Sequence, residues 1–257
     1  MSLFALCDIL FYNVGQGLAP AGIKGETAMG KIVAIGGGSF EYGEIWTMIE
    51  HICSLCDKEH PKMLFLPTAS FDSHDDTQTF IDAFAKYGCT GEGLYLTDES
   101  LTYDEIREKI LGSDIVYVDG GNLKFLMDTW NKTGATEIFR EAYEKGIILS
   151  GLSSGAMCWF DMGWDDCLEG GEFAFIECVG LLPYCNCPHF ESEYWHRFKD
   201  EIKKLNGPDG MGVDNDVCVS FVDGKITVVK HEQEKSAFLY RKANNFEEED
   251  MAEIYNV

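Results

Sequence analysis

Short apolar runs alternate with helical stripes along most of the chain. Lys31 to Ile35 is an apolar run that ends at Gly36-Gly37-Gly38-Ser39, which predicts a buried strand and a turn. Residues 42–57 place Ile45, Met48, Ile49, Ile52 and Leu55 at helical spacing. Lys62 to Leu66 predicts a second strand, stopped by Pro67. Residues 76–87 carry Phe80, Ile81, Phe84 and Tyr87 on one side of a helix. A third strand is expected over 93–96, a helix over 102–111 with Ile106 and Ile110 as its stripe, and a fourth strand over 114–118. That strand ends at Asp119-Gly120-Gly121-Asn122. Two helical patterns follow near 122–130 and 134–145, with Gly146 placed as a C-terminal stop. Ile147 to Ser150 is then a strand feeding Gly151-Leu152-Ser153-Ser154-Gly155-Ala156. Further on, residues 190–205 read as a helix, and 217–221 with 226–229 as a hairpin across 222–225. The acidic residues Glu247 to Asp250 read as a solvated tail.

Strands that alternate with helices predict βαβ units, hence an α/β fold with a mainly parallel sheet flanked by helices. Such sheets bind ligands beyond the carboxyl ends of their strands. Three of the expected loops there carry unusual residues: Gly36–Ser39, Asp119–Asn122 and Gly151–Ala156. Residues 29–257 read as one domain beginning at Met29. Residues 1–28 read as an N-terminal extension, non-native or accessory. Its apolar run from Leu3 to Tyr12 is interrupted by Asp8 and lacks the basic flank of a secretory signal.

Charge narrows the partners. Against 44 acidic side chains stand 20 basic ones, a formal net charge of −24 over 257 residues. Such a surface repels phosphate backbones and anionic headgroups, so neither nucleic acid nor membrane is an expected partner. No run approaches the roughly 20 apolar residues that a membrane span needs. Ten cysteines at irregular spacing, without a secretory signal, fit reduced thiols in a cytoplasm. Cys185 and Cys187 lie near His189, but no second Cys or His pair at zinc spacing joins them.

Gly151-Leu152-Ser153-Ser154-Gly155 fits G-x-S-x-G, the bend that lifts a serine above a sheet. The turn from strand to helix is so tight that its flanking positions tolerate little more than hydrogen. The bend selects Ser153 over Ser154 as nucleophile. A serine hydroxyl needs a base. Of six histidines, His189 stands apart, in a loop downstream of the bend between Pro188 and Phe190. An acidic residue should orient its ring, and spacing leaves Asp161, Asp165, Asp166, Asp214 and Asp216 open. An oxyanion needs backbone donors. Ser154 N–H supplies one, and Gly121, in a loop that lets a ligand approach closely, supplies the other. Gly36-Gly37-Gly38 lacks the rest of either nucleotide-binding fingerprint and fits a hydrolase cleft instead.

Four segments in this order resemble the serine peptidase family of aspartyl dipeptidase (dipeptidase E) and cyanophycinase. They are Ile35 to Gly38, Val118 to Asn122, Gly151 to Ala156 and Cys187 to Phe190. The resemblance spans about residues 31 to 230. It implies a fold like that of class I glutamine amidotransferases, a flavodoxin-like sandwich, with Ser153 as nucleophile and His189 as base. It also implies Asp166 as the third member of the triad, Asp214 as a supporting acid, and Gly121 and Ser154 as oxyanion donors. Two positions depart from the family pattern. Ser154 stands where Ala is usual, and Cys187 where Asn commonly precedes Pro-His-Phe.

The expected enzyme is therefore a serine peptidase that cleaves a peptide or isopeptide bond through an acyl-enzyme. Its substrate is a small peptide, no cofactor or metal is called for, and a homodimer is the assembly considered. Two alternatives remain. An esterase of the α/β-hydrolase type would use His231 as base, with Asp214 or Asp216. A binding module of the same fold would carry no chemistry.

Overall fold

The computed structural model describes residues 30–40 and 44–255. The expectation for residues 1–28, and the boundary at Met29, lie outside the described residues. In chain order the first half comprises β1 (Lys31–Ile35), α1 (Glu44–Ser54), β2 (Lys62–Leu66), α2 (Thr77–Ala85), β3 (Thr90–Gly93), α3 (Tyr103–Leu111), β4 (Ile115–Val118), α4 (Leu123–Thr133), α5 (Ala135–Glu144) and β5 (Ile148–Leu152). The second half comprises α6 (Ser154–Met157), β6 (Phe160–Asp165), β7 (Ala174–Glu177), β8 (Leu182–Cys187), α7 (Phe198–Lys204), β9 (Asp209–Val213), β10 (Val217–Val222), β11 (Lys225–Lys230), β12 (Ala237–Tyr240), β13 (Glu248–Asp250) and α8 (Met251–Tyr255).

The first sheet has the order β11-β10-β1-β5-β4-β2-β3. Its five strands from β1 to β3 run parallel, and β10 and β11 form an antiparallel hairpin at the β1 side. The apolar runs are continuous because both faces are covered. On one face Ile32, Ala34, Leu64, Leu66, Val116, Val118 and Leu149 join a cluster with Trp130, Phe139 and Trp159. On the other, Val33, Ile35, Met63, Phe65, Ile115, Tyr117 and Ile148 pack with Ile45, Met48, Phe80 and Phe84 of α1 and α2. Alternate residues of each strand thus feed opposite cores, as a pleat requires.

A second sheet is the main feature that the hydrophobic pattern did not predict. It has the order β13-β12-β9-β8-β6-β7, with β6, β8 and β9 parallel. Met211, Val213, Ala237 and Leu239 from this sheet pack into the first core, so the two sheets share a hydrophobic interior. The acidic stretch expected as a tail is part of it. Glu248 accepts from Tyr240 and pairs with Lys199 at 2.6 Å, while Glu249 pairs with Arg241 at 3.2 Å. Local partners of opposite charge make a strand of residues whose composition suggests solvent.

Two smaller expectations shift. The third strand is Thr90–Gly93, ahead of 93–96, because its register with β2 runs from Lys62↔Thr90 to Phe65↔Gly93. The helix expected over 190–205 begins only at Phe198. Residues 191–197 turn sharply instead, with Ser192 N–H donating to His189 C=O at 3.0 Å.

Helix α4 is capped at both ends. Asn122 Oδ1 accepts from Phe125 N–H at 2.8 Å, and Gly134 in the left-handed region (φ 79°) separates α4 from α5. The aromatic trio beneath α4 is close, with Phe139 4.2 Å from Trp130 and 5.4 Å from Trp159 between ring centroids. Phe139→Ala should therefore cost about 3–5 kcal/mol of stability, read as a lower midpoint in urea unfolding with an unchanged slope.

Candidate active site

The carboxyl ends of β1, β4 and β5 bring the three unusual loops together. At the end of β5 the chain bends so tightly that Ser153 takes φ 54° and ψ −115°. A Cβ on Gly151 would lie 2.2 Å from Gly155 O, and one on Gly155 would lie 2.1 Å from Val118 O. Both flanking glycines are therefore obligatory, which is the steric reason for the motif. Ser153 N–H donates to Ile35 C=O at 3.0 Å, fixing the bend to β1.

His189 arrives from the other sheet, at the end of β8. Its N–H donates to Gly36 C=O at 3.1 Å. Its Nε2 lies 2.8 Å from Ser153 Oγ, and its Nδ1 lies 2.6 Å from Asn215 Oδ1. The Trp195 ring sits 5.3 Å away, tilted against the imidazole. Asn215 belongs to the turn between β9 and β10. Its own amide is held by Glu191, which accepts from Asn215 N–H at 2.9 Å and from Asn215 Nδ2 at 2.5 Å. Lys235 Nζ in turn donates to Glu191 Oε1 at 3.2 Å.

The glycine run after β1 makes room for this arrangement. A Cβ on Gly37 would fall 1.7 Å from Asn215 Oδ1 and 2.6 Å from His189 Nδ1, and one on Gly36 would meet Asp214 O at 2.2 Å. A loop that resembled a phosphate cradle is instead the slot through which histidine and asparagine meet.

The expectation that Asp166 orients the ring needs correction. Ser153 and Asn215 occupy the two ring nitrogens, and among the described residues Asp166 bonds to neither; it faces the Tyr194 hydroxyl. The other carboxylates between the serine and the histidine are also engaged elsewhere or apart. Asp165 is buried and accepts from Leu123 N–H at 3.0 Å, bracing the start of α4. Asp161 is half-buried, and burial raises its pKa. Asp214 is buried beside the site without touching the ring; its Oδ2 accepts from Ser236 N–H at 3.0 Å, and its Oδ1 has no partner among the described residues. His231 is not brought to the serine. Its Nδ1 lies 2.9 Å from Thr47 Oγ1 on α1.

The loop after β4 is equally constrained. Gly121 has φ 144°, and a Cβ there would strike Ala69 O at 2.3 Å. Asp119 accepts from Gly120 N–H at 2.8 Å and from Ser70 Oγ at 3.1 Å. Ser154 Oγ donates to Gly121 C=O at 2.6 Å. The residue that departs from the family pattern therefore ties the helix after the nucleophile to the facing glycine loop. Among the described residues, the N–H groups of Gly121 and Ser154 meet no protein acceptor. Cys187, the other departure, is buried against Phe190, Phe198 and Tyr240, with Sγ 3.8 Å from Trp195 O.

Burial raises three carboxyls around the site, Asp119, Asp165 and Asp214, each to about 6. In each case loss of hydration outweighs the hydrogen bonds that favour the charged form.

The model of peptidase family S51 matches residues 32–229, and the chain belongs to that family. The uncharacterized peptidase YgaJ of Bacillus subtilis (strain 168) is 33% identical over 201 residues, covering 77% of this chain and 86% of its own length. The uncharacterized peptidase Lin0382 of Listeria innocua is 26% identical over 147 residues, or 54% of this chain and 68% of its own. Two solved structures share the fold. A peptidase from an acI-B1 Actinobacterium gives a TM-score of 0.64 at 18% identity, over 88% of this chain and 95% of that one. A peptidase E protein from Listeria monocytogenes EGD-e gives 0.62 at 16% identity, over 80% and 100%. No helix among the described residues is long and apolar enough to cross a membrane.

Gly37→Ala should push Asn215 from the imidazole and lower kcat at least about 10-fold, at a stability cost of about 1–3 kcal/mol. Turnover measured beside a thermal melt separates the two effects. Asp214 offers a test of the buried carboxyls. Its folded pKa of about 6 exceeds the ordinary 3.8, so the folded state holds the proton more tightly. Stability from this group is present below the ordinary value and is lost as pH rises towards about 6. Asp214→Asn keeps an acceptor for Ser236 N–H and removes the titration. The fall in melting temperature between about pH 4 and pH 6 should become shallower.

Proposed function

We propose that this peptidase is a serine enzyme of the dipeptidase E and cyanophycinase kind, acting on a small peptide through Ser153 and His189. The observation that carries the reading is the 2.8 Å approach of His189 Nε2 to Ser153 Oγ on a strained bend. Acceptance of Nδ1–H by Asn215 Oδ1 leaves Nε2 unprotonated and able to take the serine proton.

In the first half-reaction Oγ attacks the scissile carbonyl carbon as its proton passes to Nε2. The new oxyanion rests on the N–H groups of Gly121 and Ser154. Nε2–H then protonates the leaving nitrogen, the C–N bond breaks, and an ester remains on Ser153. In the second half-reaction water gives a proton to Nε2, attacks the ester carbonyl and releases the acid, restoring the hydroxyl. Asn215 takes the place of the acid that was expected at the ring. It orients the imidazole without carrying charge, in the manner of Cys-His-Asn peptidases. Ser154 is unsuited as the nucleophile, since its proton is already donated to Gly121 C=O.

The test is a dipeptide library, including Asp-X and β-linked members, run with native protein and with Ser153→Ala. Ser153→Ala should lower kcat by at least about 10⁴-fold while its melting temperature stays near that of the native chain. A fluorophosphonate probe should label the native protein at Ser153 and leave Ser153→Ala unlabelled. Full turnover by Ser153→Ala defeats the proposal, and a native chain that neither turns over peptides nor takes the probe points to a silent binding module.

A further inference from the structure

Among serine hydrolases, a carboxylate commonly touches the imidazole directly. Here the carboxylate stands one residue further out, behind a neutral amide. We infer that Glu191, held by Lys235, is a positioning residue that fixes which way the Asn215 amide points and thereby sets the working tautomer of His189. This inference rests on the Ser153–His189 reading above.

An asparagine amide has two faces of nearly the same shape, one donating and one accepting. Either could face His189 Nδ1. If Oδ1 faces it, the ring carries its proton on Nδ1 and Nε2 is a base. If Nδ2 faces it, Nδ1 must accept, the proton moves to Nε2, and the ring cannot take a proton from Ser153. The choice is made on the far side of the amide. Glu191 Oε2 accepts from Asn215 N–H at 2.9 Å and Oε1 accepts from Nδ2 at 2.5 Å. An ionised carboxylate only accepts, so a flipped amide would set oxygen against oxygen. Lys235 Nζ, 3.2 Å from Oε1, keeps the carboxylate charged and in place.

The groups that face this assembly are few. Lys235 also lies 3.7 Å from Asp216 Oδ2. Asp214 approaches from the same turn and acts on both Glu191 and Lys235. Trp195 covers the imidazole. Burial works against the charge on Glu191, yet the hydrogen bonds from Asn215 and Lys235 hold its carboxyl below the ordinary value. It therefore stays ionised through neutral pH, as the argument from acceptors requires.

The same logic supplies a reciprocal test. Glu191→Gln leaves one acceptor where Asn215 Nδ2, Asn215 N–H and Lys235 Nζ all donate, so its amide nitrogen must oppose one of the two Asn215 groups. The Asn215 amide loses its fixed orientation, and kcat should fall roughly 10- to 100-fold with KM little changed. Asn215→Asp alone sets two carboxylates face to face and should also be poor. Combining Asn215→Asp with Glu191→Gln restores a donor opposite an acceptor, so activity should return to within about 10-fold of native. Because a carboxylate then adjoins the ring, the acid limb of the pH profile should move up by about one unit.

Nitrogen NMR of the His189 ring gives a readout separate from turnover: Nδ1–H in native protein and in the double variant, a mixture of Nδ1–H and Nε2–H in Glu191→Gln. Three results overturn the inference: native kcat in Glu191→Gln, an unchanged tautomer in that variant, or a double variant no better than the worse single one. Should Glu191→Gln alone fail to fold, the double variant carries the test, since its charge matches the native chain. His189→Ala separates the two levels of the reading. If it keeps turnover, the Ser–His mechanism itself fails; if it is inactive, the other results bear on Glu191 alone.

Discussion

One hydrogen bond, from Ser153 to His189, joins two sheets that each end at the site. The serine comes from the carboxyl end of β5 in the first sheet, and the histidine from the carboxyl end of β8 in the second. Neither sheet alone holds the pair. The shared interior sets the distance between them, and the glycine run after β1 passes close beside the contact. At Gly37 even one carbon would collide with both the asparagine oxygen and the imidazole. Packing density in the core thus becomes positional accuracy at the Ser153 hydroxyl.

The electrostatics of the site follow from the same crowding. Three carboxyls near the cleft are buried enough to favour their protons, whereas Glu191, bonded to Asn215 and Lys235, is held below the ordinary value. Charge is therefore kept at one remove from the imidazole. A neutral amide transmits direction in place of charge. The side chain of Ser154 serves position as well, since its hydroxyl is used to hold Gly121.

Much of the first sheet was legible because strands buried on both faces leave unbroken apolar runs, and helices leave stripes. The bend at Ser153 was legible because steric exclusion forces glycine on both sides. The second sheet was not, because its strands mix Gly, Cys and charged residues whose pairing is settled only by partners distant in sequence. Glu248 to Asp250 illustrates this: alone it reads as solvated, and beside Lys199, Arg241 and Tyr240 it becomes a strand. The partner of the imidazole was missed for a different reason. A search for an acid passes over Asn215, although it sits between two aspartates in the turn that faces the glycine slot. A glycine run without a nucleotide fingerprint was a signal that some bulky pair had to cross there.

The order in which these parts leave the ribosome has a consequence for a cell that makes a peptide-cleaving enzyme. The hydroxyl emerges 36 residues ahead of the ring it meets, and the amide that meets that ring comes 26 residues later still. A nascent chain long enough to have built most of the first sheet still lacks both partners of that hydroxyl. On the proposed mechanism, turnover waits for the second half of the molecule to close on the first.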